Sequence, residues 1–216
     1  MKAIILAAGN SSRLGNQFED MPKGLLDING KSIIQRQIVL FREKKIDDII
    51  IVTGPNSDKF NFKDVTYVKD QNYREHEVLG SLMATKNLMN TEIIMTYSDI
   101  LFDNAILDQI LNFQGDIGVS TEMNWLPTYQ NRSQHPLSQA DNVLINYGKI
   151  TEIRKNMAKD GWQGIWRPEG KVLDVYRMER DDKYGEALMP KNTGRLVPHW
   201  VRSVDVKSER EAKEYF

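Results

Sequence analysis

Runs of apolar residues alternate with helix-like spacing along the first half of the chain. The apolar runs predict buried strands at 2–9, 47–54, 65–70, 92–99 and 116–122. Apolar positions three and four residues apart predict helices at 32–45, 80–89 and 104–113. Strands that alternate with helices are typical of an α/β fold, in which a mostly parallel sheet is covered on both faces.

The alternation fades after about residue 122. Short strands are predicted at 142–146 and 149–154, on either side of a turn at 147–148. The stretch 157–200 has no strong periodicity, and we interpret it as a lid or small lobe. The final residues, 208–216, have the spacing of a helix.

The overall composition excludes several classes of protein. Lys and Arg total 29 against 30 Asp and Glu, so the basic surplus typical of a nucleic-acid-binding protein is missing. The chain has no cysteine, which excludes disulfides, thiolate catalysis and cysteine-ligated zinc. No stretch is apolar for long enough to predict a membrane span or an export signal, so we expect a cytoplasmic protein.

The first predicted strand ends in the loop AAGNSSRLG. A dinucleotide-binding loop needs G-x-G-x-x-G, but only Gly9 and Gly15 are present. A Walker A loop needs four residues between its glycines and then Lys-Ser/Thr, whereas this loop has five and then Asn16. A strand-to-helix turn without any ligand remains possible, because the serines could equally cap a helix.

The residues around this loop favour an anion site. Backbone N–H groups from Gly9 onward, together with Ser11 and Ser12, can hold phosphate oxygens. Arg13 can donate to two oxygens at once. Lys23, which follows a proline in MPKG, adds a second cation, and two cations suit a polyphosphate better than a single phosphate.

Three polar or glycine positions come at the ends of predicted strands. Gly9, Gly54 and Asp99 each lie at or just after such an end. Ligands of open α/β sheets bind outside the carboxyl ends of the strands, so we expect these three residues to face one crevice.

KAIILAAGNSSRLG followed by MPKGLLDINGKSIIQRQI resembles the signature of the nucleotidyltransferases, enzymes that join an NTP to a phosphorylated small molecule and release pyrophosphate. The likeness continues through VTG and GSLMAT to TYSDI. It is greatest to the bacterial choline-phosphate cytidylyltransferase-like group, which includes cytidylyltransferases acting on phosphonates and other small phosphorylated amines. WLPTYQNRSQHPLSQADNV and WQGIWRPEG are also similar to segments of that group.

The resemblance implies a three-layer α/β/α Rossmann-like fold with a mostly parallel mixed sheet and a small lid. We therefore expect one nucleotidyltransferase domain over 1–216, with a nucleotide-binding half at 1–122. An acceptor-binding or lid region at 123–204 and a C-terminal helix at 205–216 would complete it. We further expect an enzyme that can form a homodimer and that makes precursors of cell-surface polysaccharide or lipid.

The expected reaction is attack of a phosphate or phosphonate oxygen on the α-phosphorus of an NTP. Since two anions must meet, the site has to supply positive charge and alignment. Mg²⁺ would bridge the phosphate oxygens, and it prefers carboxylate ligands. The resemblance implies that Asp99 and Asp205 bind the metal; the alternative for Asp99 is a turn or helix-capping role. Lys23 and Arg13 are the expected catalytic cations, and Lys31 either assists them or is simply solvated.

The resemblance also implies a set of nucleotide-binding residues, in which Gly80, Ser81 and the backbone near Ala8 and Gly9 hold the base. The full set is Leu6, Ala7, Ala8, Gly9, Asn10, Ser11, Ser12, Arg13, Lys23, Gly80 and Ser81.

The acceptor would be recognised by aromatic and charged residues of the second half. Trp125, Tyr129 and Trp166, with Trp162 and Trp200, could form an aromatic cage for a quaternary ammonium, or could instead pack a small lobe. Arg132 and His135 could contact the phosphate of the acceptor, and Glu122 its amine.

These observations leave three hypotheses. The first is a Mg²⁺-dependent cytidylyltransferase that transfers CMP from CTP to choline phosphate, a phosphonate or a similar acceptor. The second is a sugar-1-phosphate nucleotidylyltransferase that uses UTP, dTTP or GTP. The third is a non-catalytic nucleotide-binding subunit, which the presence of Arg13, Lys23 and Asp99 disfavours.

Overall fold

The computed structural model describes residues 1–9, 21–76, 78–122, 141–146, 149–155, 176–178, 195–199 and 204–205. The chain divides into two compact units. The first consists mainly of Met1–Leu101, and the second of Phe102–Arg177 and Asp181–Asp205. No helix in the described part of the chain is long and apolar enough to cross a membrane.

The first unit is an α/β arrangement around a parallel sheet. Its elements are β1 (Lys2–Ala7), β2 (Asp27–Ile28), β3 (Lys31–Ser32), α1 (Ile33–Glu43), β4 (Ile49–Thr53), β5 (Thr66–Lys69), α2 (Val78–Met83), β6 (Ile93–Tyr97) and β7 (Ile100–Leu101), with 3₁₀ turns at Lys23–Leu25, Ser57–Lys59 and Lys86–Leu88. The main strands run in the order β5-β4-β1-β6, and each neighbouring pair is parallel. The predicted α/β fold with a parallel sheet is therefore confirmed.

The central strand of this sheet is β1. Ala3, Ile4 and Ile5 have no exposed surface, because β4 and β6 flank the strand and its side chains are buried on both faces. This accounts for the continuous apolar run at the start of the sequence.

Helix α1 begins where the sequence predicts. Ser32 is its N-cap, and the Ser32 side chain accepts a hydrogen bond from the backbone N–H of Gln35 at 3.2 Å. The buried face consists of Ile33, Ile34, Gln37, Ile38 and Phe41. The helix ends at Glu43, two residues earlier than predicted, and Lys45 just beyond it has a φ of 60°.

The second predicted helix is shorter than expected. Instead of spanning 80–89, α2 covers Val78–Met83 and is followed by the 3₁₀ turn at 86–88. Buried Thr85 explains the break. Its backbone N–H donates to the Leu82 carbonyl in a tighter 3₁₀-type bond, and its hydroxyl donates to the same oxygen at 2.7 Å.

Strands β2 and β3 form a small hairpin that the apolar pattern does not predict. Asn29 and Gly30 make its turn with φ angles of 51° and 82°, the left-handed conformation that tight hairpins require. The Asp27 side chain accepts from the Gly30 N–H at 2.9 Å. Lys31, on the second strand, is exposed.

The second unit contains one described helix and several strands. The elements after β7 are α3 (Asn104–Leu111), β8 (Ile117–Glu122), β9 (Asp141–Asn146), β10 (Lys149–Lys155), β11 (Tyr176–Met178), β12 (Arg195–His199) and β13 (Val204–Asp205). Within the unit, β9 pairs antiparallel with β10, and β12 pairs parallel with β8. Asp103 caps α3 by accepting from the Ile106 N–H at 3.1 Å.

Two strands fall in the stretch 157–200, for which the sequence pattern predicted no regular element. They are β11 and β12. Of the C-terminal helix expected at 205–216, only Asp205 is described, and it is the last residue of β13. The turn at 147–148 and residues 206–216 lie outside the described residues, and the assignment of functions to 1–122 and 123–204 stays a prediction.

Candidate nucleotide-binding site

The carboxyl ends of the first unit's strands meet at the end of β1. The backbone N–H of Ser98, just after β6, donates to the Leu6 carbonyl at 3.0 Å. On the other side of β1, Gly54 follows β4 and lies directly against Ala8. A Cβ on Gly54 would overlap the Ala8 carbonyl oxygen and stand 3.0 Å from the carbonyl carbon. Gly54 and the turn after β6 therefore flank the start of the glycine- and serine-rich loop.

Lys23 and Asp99 form an ion pair at this edge. Lys23 Nζ lies 3.2 Å from Asp99 Oδ2, and the two side chains are only 14% and 20% exposed. Shielding from water strengthens such a pair compared with one on the surface. The site thus holds a cation and a carboxylate in contact, and Asp99 directly follows Ser98, which is hydrogen-bonded to Leu6 near the end of β1.

The segment that carries Lys23 is rigidly built. Pro22 precedes the 3₁₀ turn, and its carbonyl accepts from the Leu25 N–H at 2.9 Å. The Lys23 carbonyl accepts from the Leu26 N–H at 3.0 Å. Leu26 is buried in a cluster with Ile28, Ile33 and Leu101, which anchors the end of the segment.

The turn that carries Asp99 is held from beneath by α1. Gln37, 1% exposed, donates from Nε2 to the carbonyl oxygens of Tyr97 at 2.8 Å and Ile100 at 2.6 Å. Gly24 lies against the same turn, because a Cβ on it would stand 2.8 Å from Ser98 Cβ.

A second polar network lies at the end of β5. Asp70 is 3% exposed, and its backbone N–H donates to the Thr53 carbonyl at 2.8 Å. Its carboxylate contacts Asn72 N at 3.0 Å, His76 Nε2 at 3.2 Å and Ser81 Oγ at 2.7 Å. Because an ionised carboxylate only accepts hydrogen bonds, the Ser81 hydroxyl must be the donor in this contact.

The same network holds α2 in place. A Cβ on Gly80 would overlap the His76 ring, so only glycine allows this close approach. Helix α2 contacts β1, the strand that leads into the predicted phosphate loop. Gly80 and Ser81 are thereby held in the same unit as the end of β1.

The predicted site residues are distributed as follows. In the first unit the structure describes Leu6, Ala7, Ala8, Gly9, Lys23, Gly80, Ser81 and Asp99. In the second unit Glu122 ends β8 and Asp205 ends β13. Outside the described residues lie Asn10, Ser11, Ser12, Arg13, Trp125, Tyr129, Arg132, His135, Trp162, Trp166 and Trp200.

The carboxylates of the described residues fit an open site for a divalent metal better than a closed one. Within the described ranges, no three His, Cys, Asp or Glu side chains come together as a possible metal cage. Asp99 nevertheless offers a partly exposed carboxylate at the sheet edge. Mg²⁺ usually binds through one or two carboxylates plus substrate phosphates and water, so this donor fits a magnesium–nucleotide site rather than a closed structural one.

Sequence reasoning missed three residues that shape the site: Gln37, Gly24 and Asp70. Gln37 could have been noticed as a polar residue on the apolar face of α1. Asp70 ends the predicted strand 65–70, just as Asp99 ends the predicted strand 92–99. Gly24 carries no local signal, since its packing depends on Ile34 and Ser98, which are distant in sequence.

Known cytidylyltransferases are similar in sequence to this chain. The CTP:phosphoglutamine cytidylyltransferase of Campylobacter jejuni is 25% identical over 166 residues, which cover 72% of this chain and 66% of that protein. The choline-phosphate cytidylyltransferase of Streptococcus pneumoniae is 35% identical over 114 residues, or 51% of this chain and 50% of that protein. The matched region thus spans less than two thirds of the length of these curated relatives.

A solved structure shares the fold. The inositol-1-phosphate CTP transferase from T. maritima superposes with a TM-score of 0.71 at 15% identity, covering 96% of this chain and 89% of that one. Residues 3–171 match the MobA-like NTP transferase domain. The resemblance to nucleotidyltransferases is confirmed, and the chain belongs to the family of MobA-like NTP transferase domains.

Proposed function

We propose that this protein transfers CMP from CTP to a small phosphorylated acceptor and releases pyrophosphate. The observation that carries the proposal is the Lys23–Asp99 pair at the carboxyl edge of the sheet, 3.2 Å apart and shielded from water. A cation and a carboxylate at this place are what a nucleoside triphosphate and its metal require. Two curated relatives named as cytidylyltransferases support CTP as the donor.

In the proposed reaction an oxygen of the acceptor phosphate bonds to the α-phosphorus of CTP. The bond from that phosphorus to the bridging oxygen breaks, and pyrophosphate leaves with the electron pair. Lys23 would neutralise charge on the α-phosphate as it builds up, and Arg13 would bind the other phosphates. No covalent enzyme intermediate is needed, because alignment and charge provide the catalysis.

Asp99 would be a ligand for Mg²⁺, and we propose Asp205 as a second one. When bound, Mg²⁺ would withdraw charge from the phosphate oxygens and align them. With a nucleotide bound, Lys23 would donate to its phosphate in place of Asp99.

The network around Asp70 supports cytosine as the base. The Ser81 hydroxyl donates its hydrogen to Asp70, so towards a ligand it offers only lone pairs. Cytosine carries an amino group at N4, which is a donor, whereas uracil and thymine carry an acceptor oxygen at that position. The site would therefore prefer cytosine over uracil or thymine, if the base is held by Ser81, Gly80 and the backbone near Ala8 and Gly9.

For the acceptor we propose a small phosphorylated or phosphonylated amine. The names of the two curated relatives point to phosphoglutamine and choline phosphate. The residues predicted to bind such an acceptor are Glu122, Trp125, Tyr129, Arg132, His135 and Trp166.

The direct test measures pyrophosphate release by the purified protein. CTP, UTP, dTTP and GTP would each be paired with choline phosphate, phosphoglutamine, an aminoalkylphosphonate and hexose 1-phosphates. We expect turnover with CTP and a phosphorylated or phosphonylated amine, its loss with EDTA, and its return with excess Mg²⁺.

Two outcomes would overturn the proposal. Turnover with UTP and a hexose 1-phosphate, without any with CTP, would instead identify a sugar-1-phosphate nucleotidylyltransferase. Nucleotide binding without turnover for any pair would identify a non-catalytic subunit.

A further inference from the structure

We propose that Gln37 is a positioning residue that fixes the Asp99 carboxylate for metal binding, although it would touch neither metal nor nucleotide. This inference rests on the proposed function, since it assumes that Asp99 is a metal ligand. A side chain on the buried face of α1 would thus set the geometry of the site.

The two carbonyl groups that Gln37 binds lie on either side of Asp99. Strand β6 ends at Tyr97 and β7 begins at Ile100, so Asp99 lies on the break between them. Gln37 Nε2 donates to the Tyr97 and Ile100 carbonyls at 2.8 and 2.6 Å. One amide group thus ties both ends of the turn to the same point of the helix.

An amide side chain is energetically costly at this position of α1. Gln37 is almost fully buried on a face otherwise made of Ile33, Ile34, Ile38 and Phe41. Burying a polar group without full hydrogen bonding is unfavourable, and Gln37 Oε1 has no hydrogen-bond partner within the part of the chain that the structure describes. An apolar side chain would serve the packing of the helix, so the amide is explained by the turn that it holds.

Helix α1 also supports the segment that carries Lys23, the other member of the ion pair. A Cβ on Gly24, the residue after Lys23, would stand 2.6 Å from Ile34 Cδ1 and 2.8 Å from Ser98 Cβ. The Lys23 segment therefore rests directly on the helix and on the Asp99 turn. Helix α1 therefore supports both segments and sets the spacing between Lys23 and Asp99.

The test replaces Gln37 by Met, which has a similar length but no N–H donor. Gln35→Met is the matched control, because Gln35 lies on the same helix and is exposed. The primary measurement is Mn²⁺ binding in the presence of CTP, followed by the paramagnetic resonance signal of free Mn²⁺. CTP binding without metal, urea unfolding and the Mg²⁺ dependence of turnover would be measured alongside.

We expect Q37M to weaken Mn²⁺ binding by about tenfold to a hundredfold, the range found when groups that orient metal ligands are removed. CTP binding without metal should be unchanged, and Q35M should resemble the wild type. If Q37M only lowers stability or the active fraction while Mn²⁺ binds normally, the proposal is wrong.

Two further variants keep the test decisive. Gly24→Ala disturbs the contact of the Lys23 segment with α1 and with the Asp99 turn. It should also raise the Mn²⁺ concentration needed for half-saturation, even if Q37M folds poorly. Asp99→Asn tests the underlying function. Normal Mn²⁺ binding by D99N would reject Asp99 as a ligand, whereas weak binding by D99N with normal binding by both Q37M and G24A would reject only the positioning role.

Discussion

Gly54 lies against the carbonyl group of Ala8, so closely that a Cβ would overlap the oxygen. This contact joins the end of β4 to the residue that precedes Gly9. We expect Gly54→Ala to lower the free energy of unfolding by about 1–3 kcal/mol, because rigid backbone must move to make room. Urea unfolding followed by circular dichroism measures the change.

Gly9→Ala is the matched control for stability, because a Cβ on Gly9 would meet no atom of the described residues within 4 Å. Equal stability of the two variants would mean that the close approach of Gly54 to Ala8 is absent in solution.

Asp70→Asn should reverse the hydrogen bond to Ser81. The new amide can donate to the Ser81 oxygen, and the hydroxyl hydrogen is then free to point to a ligand. We expect the ratio of kcat/KM for CTP to that for UTP to fall by about fivefold to tenfold, the value of roughly one hydrogen bond. Steady-state pyrophosphate release with each nucleotide gives this ratio.

Asp58→Asn, an exposed change of the same type, controls for the loss of one negative charge. A folded D70N protein with the wild-type ratio would exclude the Ser81 hydroxyl as a determinant of base choice.

Lys23→Ala and Asp99→Ala should each reduce turnover by roughly a hundredfold or more, the scale seen when a group that stabilises transition-state charge is removed. Circular dichroism should show an unchanged fold. Lys63→Ala and Asp116→Ala, both exposed, are the charge-matched controls. Near-wild-type rates for both site variants would show that this edge of the sheet is not the active site.

Ser32→Ala should destabilise the helix that supports the ion pair. Its hydroxyl caps α1 through the Gln35 N–H, and loss of such a cap costs about 1 kcal/mol. Gln35→Ala keeps that N–H and therefore keeps the cap bond. In thermal unfolding the S32A midpoint should lie below that of Q35A, and coinciding midpoints would contradict the capping role.

The apolar pattern predicted the elements that have strong periodicity. The run at Lys2–Ala7 is buried on both faces, and the Ser32 cap marks the start of α1, so both were readable from sequence. The hairpin around Asn29 and Gly30 was missed because its strands are only two residues long. Strand β12 was missed because its sequence, RLVPH, is short and contains a proline, which does not fit the pattern of a strand.

The residues of the site also differ in whether a local sequence signal marks them. Lys23 and Asp99 were found because a proline and a strand end precede them, but the sequence does not reveal that they are in contact. The roles of Gln37 and Asp70 depend on carbonyl and hydroxyl groups brought close by folding. Such long-range contacts have no signature in the spacing of residues.

Because Asp70 is buried, binding of the triphosphate and selection of the base should respond differently to salt. Binding of the triphosphate by lysine and arginine charges should weaken as ionic strength rises, because the Debye length falls from about 10 Å at 0.1 M to about 3 Å at 1 M. The hydrogen of Ser81 is held by a carboxylate that is only 3% exposed, so dissolved ions have little access to it. Salt should therefore raise the KM for CTP and leave the preference for CTP over UTP constant.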